Sequence, residues 1–314
     1  MLLTDNAKKK AIELSNSTDW VDHSSPKLQA VEKSGASDYV PLEADLSLKF
    51  AKIDGVTRLV ARDHHGPLLV QKPLYPEGYE VCHAVIIHPP GGIVSGDQLA
   101  IAVQAEPSAH AQMTTPGAAK WYRSNGRTAK QTINIEVKRN ARVEWVPQET
   151  IFFNHAQVEI DHQVSLEDDA TYVGCEILCF GRTASGEAFE SGKIKQRTSI
   201  RRNSKLIWLE QISLQGNSTG MKGSLTLGGK TVCATLIMVG KTISPSVRDS
   251  LREEIENLVH DPDQVGVSQL KSVVVVRYLG NSSEVAKRIM LHAWGLCRPE
   301  MLGREAITPR MWST

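Results

Sequence analysis

From Leu42 onward the chain alternates apolar and polar positions with the two-residue period of a β-strand. Leu46-Ser-Leu-Lys-Phe50 alternates, Gly55 supplies a turn, and Thr57-Arg-Leu-Val-Ala61 alternates again before Gly66-Pro67, which predicts a hairpin. Short β-branched runs follow at residues 68–70, 84–87, 99–103 and 132–137, punctuated by Pro and Gly. Three segments then repeat a pattern: Ala105-Glu-Pro-Ser-Ala109, Val137-Lys-Arg-Asn-Ala141 and Leu166-Glu-Asp-Asp-Ala170 each place an apolar residue, three polar turn residues and an alanine. The spacing of about 30 residues predicts layers stacked along an axis, a β-helix-like body of stacked sheets, with a β-sandwich as the alternative.

A different period appears late. Val247, Leu251, Ile255, Leu258 and Val259 share a helical stripe over residues 245–259, with Ser244 placed as its cap. A second helix is predicted over 284–297, ending near Arg298-Pro299, and Val273-Val-Val-Val-Arg-Tyr-Leu279 before it reads as a buried strand. A small α+β region therefore closes a mainly β body spanning 41–314. Residues 1–40 carry sparse apolar positions and no periodicity, which predicts a loosely ordered extension.

Composition narrows the function classes. With 36 Lys+Arg against 35 Asp+Glu the formal charge is +1, so no long-range field draws this chain to nucleic acid or an anionic membrane. No apolar run approaches the roughly 18 residues of a membrane span. Five cysteines at irregular spacing, with no secretory pattern in the first residues, point to a reducing cytoplasm. Cys175 and Cys179 have no second metal-ligand pair at finger spacing, and on a strand their side chains stand about 13 Å apart. His64, His65, His83 and His88 read more simply as solvated or hydrogen-bonded than as ligands.

No nucleophile elbow, phosphate loop, dinucleotide fingerprint or zinc-protease helix occurs. The informative loop is His88-Pro-Pro-Gly-Gly-Ile-Val-Ser-Gly-Asp97: prolines stiffen it, Gly91, Gly92 and Gly96 allow special backbone angles or close packing, and Asp97 either caps the turn or presents a carboxylate. Thr114-Thr-Pro-Gly117 reads as the start of a short helix carrying Trp121 and Tyr122, and Trp121, Tyr122 and Arg123 have the composition of a protein contact. Glu144, Glu149, Glu176 and Glu210 lie within apolar strand runs. Each must face solvent, a cation or a wet interior, because an unpaired buried carboxylate costs several kcal/mol. With Asp97, Arg182 and Glu187 they can line a polar passage in which oxygen ligands hold a divalent ion weakly.

The ordered motif series resembles the UreD/UreH family of urease accessory proteins: Gly66-Pro67-Leu68, Pro73-Leu-Tyr-Pro76, the 88–97 loop, Thr114-Thr-Pro-Gly117, Tyr122-Arg-Ser124, Glu144-Trp-x-Pro-Gln-Glu149 and Gly181-Arg182. Ser95, Trp121 and Thr183 stand where that family usually has Gly, Phe and Pro. The resemblance implies a non-enzymatic scaffold in the cytoplasm that contacts the urease apoprotein and the F and G accessory proteins, G being a GTPase. It further implies transient nickel(II), with no tightly bound cofactor, moving through an internal tunnel at Asp97, Glu176, Glu210 and Arg182. Two other readings stay open from the residues: a β-solenoid hydrolase using a carboxylate pair such as Asp97 and Glu187, and a pure interaction module.

Overall fold

The alternation is realised as two sheets joined by stacked coils, in a computed structural model that describes residues 40–259, 261, 263–309 and 312. The extension expected at 1–40 lies, apart from Val40, outside the described residues. Strands β1 (Glu43–Ile53) and β2 (Val56–His65) form the expected antiparallel hairpin. After β3 (Leu69–Val70) and β4 (Val81–Ile87), the chain makes three coils, each with one strand in either sheet. These are β5 (Gln98–Ala105) to β6 (His110–Thr114), β8 (Ala129–Val137) to β9 (Arg142–Trp145), and β11 (Gln157–Leu166) to β12 (Thr171–Phe180). Short strands β7 (Ala119–Trp121) and β10 (Thr150–Phe152) line the connections between coils, and β13 (Lys193–Arg202) and β14 (Lys205–Gln215) complete the first sheet.

The first sheet runs β14-β13-β11-β8-β5-β1-β2, and its five inner strands pair in parallel. In the second sheet β4, β6, β9 and β12 are parallel, followed by the antiparallel strands β15 (Val232–Val239), β17 (Val273–Gly280) and β16 (Gln264–Leu270). The repeated alanines mark where the chain crosses between sheets. Ala109, Ala141 and Ala170 are each fully buried, and their amides close the turns on the Glu106, Lys138 and Glu167 carbonyls. Arg142 and Thr171 donate to the Ala109 and Ala141 carbonyls of the preceding coil, so each turn also holds the next.

Helix α1 (Thr219–Lys222) is a single turn, α2 (Pro245–Glu256) is capped by the Ser244 hydroxyl accepting from Val247 N, and α3 (Ser283–Leu302) covers the second sheet. Helix α3 runs past the expected stop at Pro299 and ends on left-handed Gly303. Its last turn is held by the buried side chain of Arg298, described below. Side-chain alternation on β12 separates two cores: Tyr172, Leu178 and Phe180 pack between the sheets, while Val173, Cys175, Ile177 and Cys179 pack toward the helices. Glu176 has the parity of the first set and so faces the space between the sheets.

The short helix expected at Trp121 is instead strand β7, paired in parallel with β10, which pairs in parallel with β12. Stacking decides this. Trp121, Phe152 and Phe180 occupy one register position on three successive strands, with ring centroids 6.5 and 6.0 Å apart. Trp121 is 1% exposed. It therefore cannot form the partner contact that its sequence neighbours suggest.

Candidate functional site

Between the sheets lies a cavity of about 350 Å³. His88, Gly91, Gly92, Thr115 and Gln148 contribute to its wall, as do Gln131, Glu176 and Gln196. A Cβ at Gly92 would lie 2.1 Å from the Tyr122 ring, so any larger residue there would have to displace that ring. His88 is half-buried and its Nε2 has no hydrogen-bond partner. Burial lowers its pKa, against the pull of the Asp97 charge, so the ring stays neutral.

Glu176 accepts a hydrogen bond from Gln196 Nε2 at 2.6 Å, and its Oε1 is 3.6 Å from His162 Nδ1. A second cavity, of about 600 Å³, is lined by Glu210, Cys233 and Arg277 among others. Glu210 pairs with Arg277 at 2.9 Å. Its pKa is raised first by burial, and the Glu176 charge adds to the rise while Arg277 opposes it. The two carboxylates thus sense one another while belonging to adjoining walls. Gln131, Gln196, Thr198 and Thr235 share the inward parity of this region, giving the interior at this end a polar lining.

The other expected residues sit elsewhere. Asp97 is 2% exposed, and its two oxygens accept from Leu42 N and Val94 N, each at 2.9 Å. That is a loop-closing role, with left-handed Gly96 beside it. Replacing Asp97 by Ala is expected to cost about 1–3 kcal/mol, the penalty of stranding partly buried amide donors, measured by chemical denaturation. Arg182 and Glu187 form a surface pair at 2.7 Å, and the Arg182 guanidinium lies 4.4 Å above the Phe153 ring. Phe153 meets Tyr122 edge-on at 4.7 Å. Tyr122 and Arg182, with exposed Arg123 nearby in sequence, therefore make an accessible aromatic and cationic patch just outside Gly92.

Glu144, one of the acids in apolar runs, faces the helices. It is completely buried and accepts four hydrogen bonds: from His110 at 2.8 Å, Trp294 at 2.7 Å, and Arg298 twice at 3.0 Å. Arg298 also forks onto Glu77 at 2.7 and 2.8 Å, and Glu77 meets His83 at 2.7 Å. Burial alone would raise the Glu144 pKa, but His110 and Arg298 bring it down to about 2. Glu149 lies 4.0 Å from Lys287. Cys175 and Cys179 face the helical core, and burial pushes both thiols up to about 12, which keeps them protonated and poor ligands. Among the described residues, no three His, Cys, Asp or Glu side chains converge as a metal cage.

A family model described as the UreD urease accessory protein matches residues 42–313. The chain belongs to that family. It is 58% identical over 274 residues to a urease accessory protein UreD of Nitrosospira multiformis, covering 87% of this chain and 98% of the relative. Against UreD of Janthinobacterium sp. (strain Marseille) the identity is 54%, covering 90% and 95%, and against UreD of Dechloromonas aromatica 42%, covering 86% and 94%. Within this UreD fold, three side chains that carry the interior chemistry escaped the sequence reading: His162, Arg277 and Arg298. Each left a trace. His162 interrupts the buried positions of Val158-Glu-Ile-Asp-His-Gln-Val164, Arg277 interrupts a valine strand, and Arg298 sits on the apolar face of α3.

Proposed function

We propose that this chain, a urease maturation factor by its family, passes nickel(II) to urease through the space between its two sheets. One observation supports the reading most: Glu176 lines the cavity that opens beside His88 and Gly92, and is electrostatically coupled to Glu210 on the wall of the next cavity. Carboxylates flanked by amides and hydroxyls hold a divalent ion without trapping it, whereas a closed thiolate and imidazole cage would not release it. Arg277 on Glu210 supplies a competing cation that keeps the affinity low. The work is non-catalytic: metal is relayed, and no bond of a substrate is made or broken.

Partners follow from the same reading. Nickel(II) enters from the F and G accessory proteins in the cytoplasm and leaves to the urease apoprotein, and the Tyr122–Phe153–Arg182 patch outside Gly92 suits one of these contacts. No described helix is long and apolar enough to cross a membrane. The carboxylate-pair hydrolase finds less support, since Asp97 is held by backbone amides in its loop and Glu187 by Arg182 at the surface.

The experiment is co-production with urease and its other accessory proteins, reading urease activity, urease nickel content and co-purification of the complex. Glu176→Ala and Glu210→Ala are expected to lower activation by about tenfold or more, the scale on which metal sites respond to a lost partner, with the complex intact. Parental activation in both variants would sink the passage. Loss of the complex in Tyr122→Ala, beside normal activation in the acid variants, would favour an interaction module alone.

A further inference from the structure

Two orphaned polar atoms stand beside one carboxylate inside the sandwich. His162 lies on β11 with the inward parity of Ile160 and Val164, and is 1% exposed. Its Nδ1 has no hydrogen-bond partner, and neither has the buried Oε1 of Gln196. Glu176 is the group they share, 3.6 Å from the first residue's Nδ1 and hydrogen-bonded at 2.6 Å to the second residue's Nε2. Leaving a buried polar atom unpaired is costly. Two such atoms beside one acid leave bonding capacity that a bound ion or a water can fill.

The spacing says which kind. At 3.6 Å the imidazole and carboxylate are too far apart for a good hydrogen bond. Two ligand atoms each about 2.1 Å from one metal ion, at an angle of 90–120°, stand about 3.0–3.6 Å apart. The orientation of the ring is also prepared. His162 Nε2 lies 3.3 Å from the Tyr172 hydroxyl, itself buried between the sheets. With Nε2–H donating to that oxygen, Nδ1 turns its lone pair toward Glu176, the arrangement that fixes ligand histidines elsewhere. Gly174 makes room for this, because a Cβ there would lie 2.5 Å from the Tyr172 hydroxyl. The Trp145 ring meets the imidazole edge-on at 5.9 Å.

We propose that His162 Nδ1 and Glu176 form a mixed nitrogen and oxygen binding site for a divalent transition metal, with Gln196 Oε1 as a third donor. The cargo assignment rests on the passage reading above; the site itself rests on the geometry. A single imidazole biases the station toward nickel(II) over magnesium and calcium, which prefer oxygen alone. It gives the passage a selectivity that carboxylates lack. Glu176 and Gln196 reach the cavity, and so connect the enclosed histidine to it.

The test adds nickel(II) alone to the purified full chain and reads affinity by titration calorimetry and imidazole coordination by X-ray absorption. His162→Gln is expected to lose an imidazole ligand and bind about tenfold or more weakly, while Tyr172→Phe keeps the imidazole and weakens binding by about tenfold, as loss of an orienting partner does. Tyr172→Phe is nearly isosteric, so it serves should His162→Gln fold poorly. An unchanged imidazole signal and affinity in His162→Gln, or parental affinity in Tyr172→Phe, overturns the site and leaves a water pocket only. Urease activation separates the two readings. A His162→Gln chain that loses the ligand yet activates urease fully keeps the metal site and removes it from the route, while the passage itself stands or falls with Glu176→Ala and Glu210→Ala. One that binds nickel as the parent does removes the site, whatever its activation.

Discussion

Replacing Glu144 by Gln is expected to destabilise the protein by about 3–5 kcal/mol, the cost of breaking a buried ion network at one member. The carboxylate is completely buried and its four hydrogen bonds tie strand β6, strand β9 and helix α3 together through His110, Trp294 and Arg298. Glutamine keeps the shape but removes the charge that balances Arg298, whose remaining anion is Glu77. Its amide nitrogen would also face donors where the carboxylate offered acceptors. Urea denaturation measures the loss, and a parental midpoint would show that the network is energetically neutral. The pH dependence has a definite sign. Glu144 and Glu77 both have depressed pKa values in the fold, Glu144 down to about 2 from 4.5. Their contribution is complete above the unfolded value near 4.5 and fades as pH falls through the lowered values, about 2 for Glu144. The parent should therefore lose stability steeply across that acid window, and Glu144→Gln should lose less of it there.

This network also shows what could be read from the chain and what could not. Period-two alternation and the three Ala-terminated turns were enough to place stacked coils, because each strand buries one face and each crossing needs a small residue, as Ala109, Ala141 and Ala170 show. The acids in apolar runs were legible as exceptions. Their fates were not, since parity alone cannot say whether the second face of a strand meets water, a helix or another sheet. Glu176 and Glu144 lie on adjacent parallel strands, yet one faces the inter-sheet space and the other the helices. Arg298, 154 positions from Glu144, looked like a helix end because Pro299 follows it. The partners of Asp97 were hidden differently: its loop closes on Leu42 N, 55 residues away, a contact that no local turn rule contains.

Trp121→Ala is expected to cost about 3–5 kcal/mol, against a change within about 0.5 kcal/mol for Arg123→Ala at the exposed neighbouring position. The indole is the first ring of the ladder through Phe152 and Phe180, each ring carried by a different parallel strand. Truncation leaves a void where β7 and β10 join the stack, and the strands cannot close over it without giving up their register. The ladder also backs the cavity mouth, since Ile93 bridges to Trp121 next to Gly92. Denaturant midpoints of the single variants measure the stability difference, and co-purification with the accessory complex measures binding. If the wall and the contact surface are separate, Arg123→Ala and Tyr122→Ala affect binding in a chain of near-parental or modestly lowered stability. Trp121→Ala then weakens binding only in proportion to the folded fraction. Selective loss of binding in a fully stable Trp121→Ala protein would contradict the buried ladder and return that side chain to the surface.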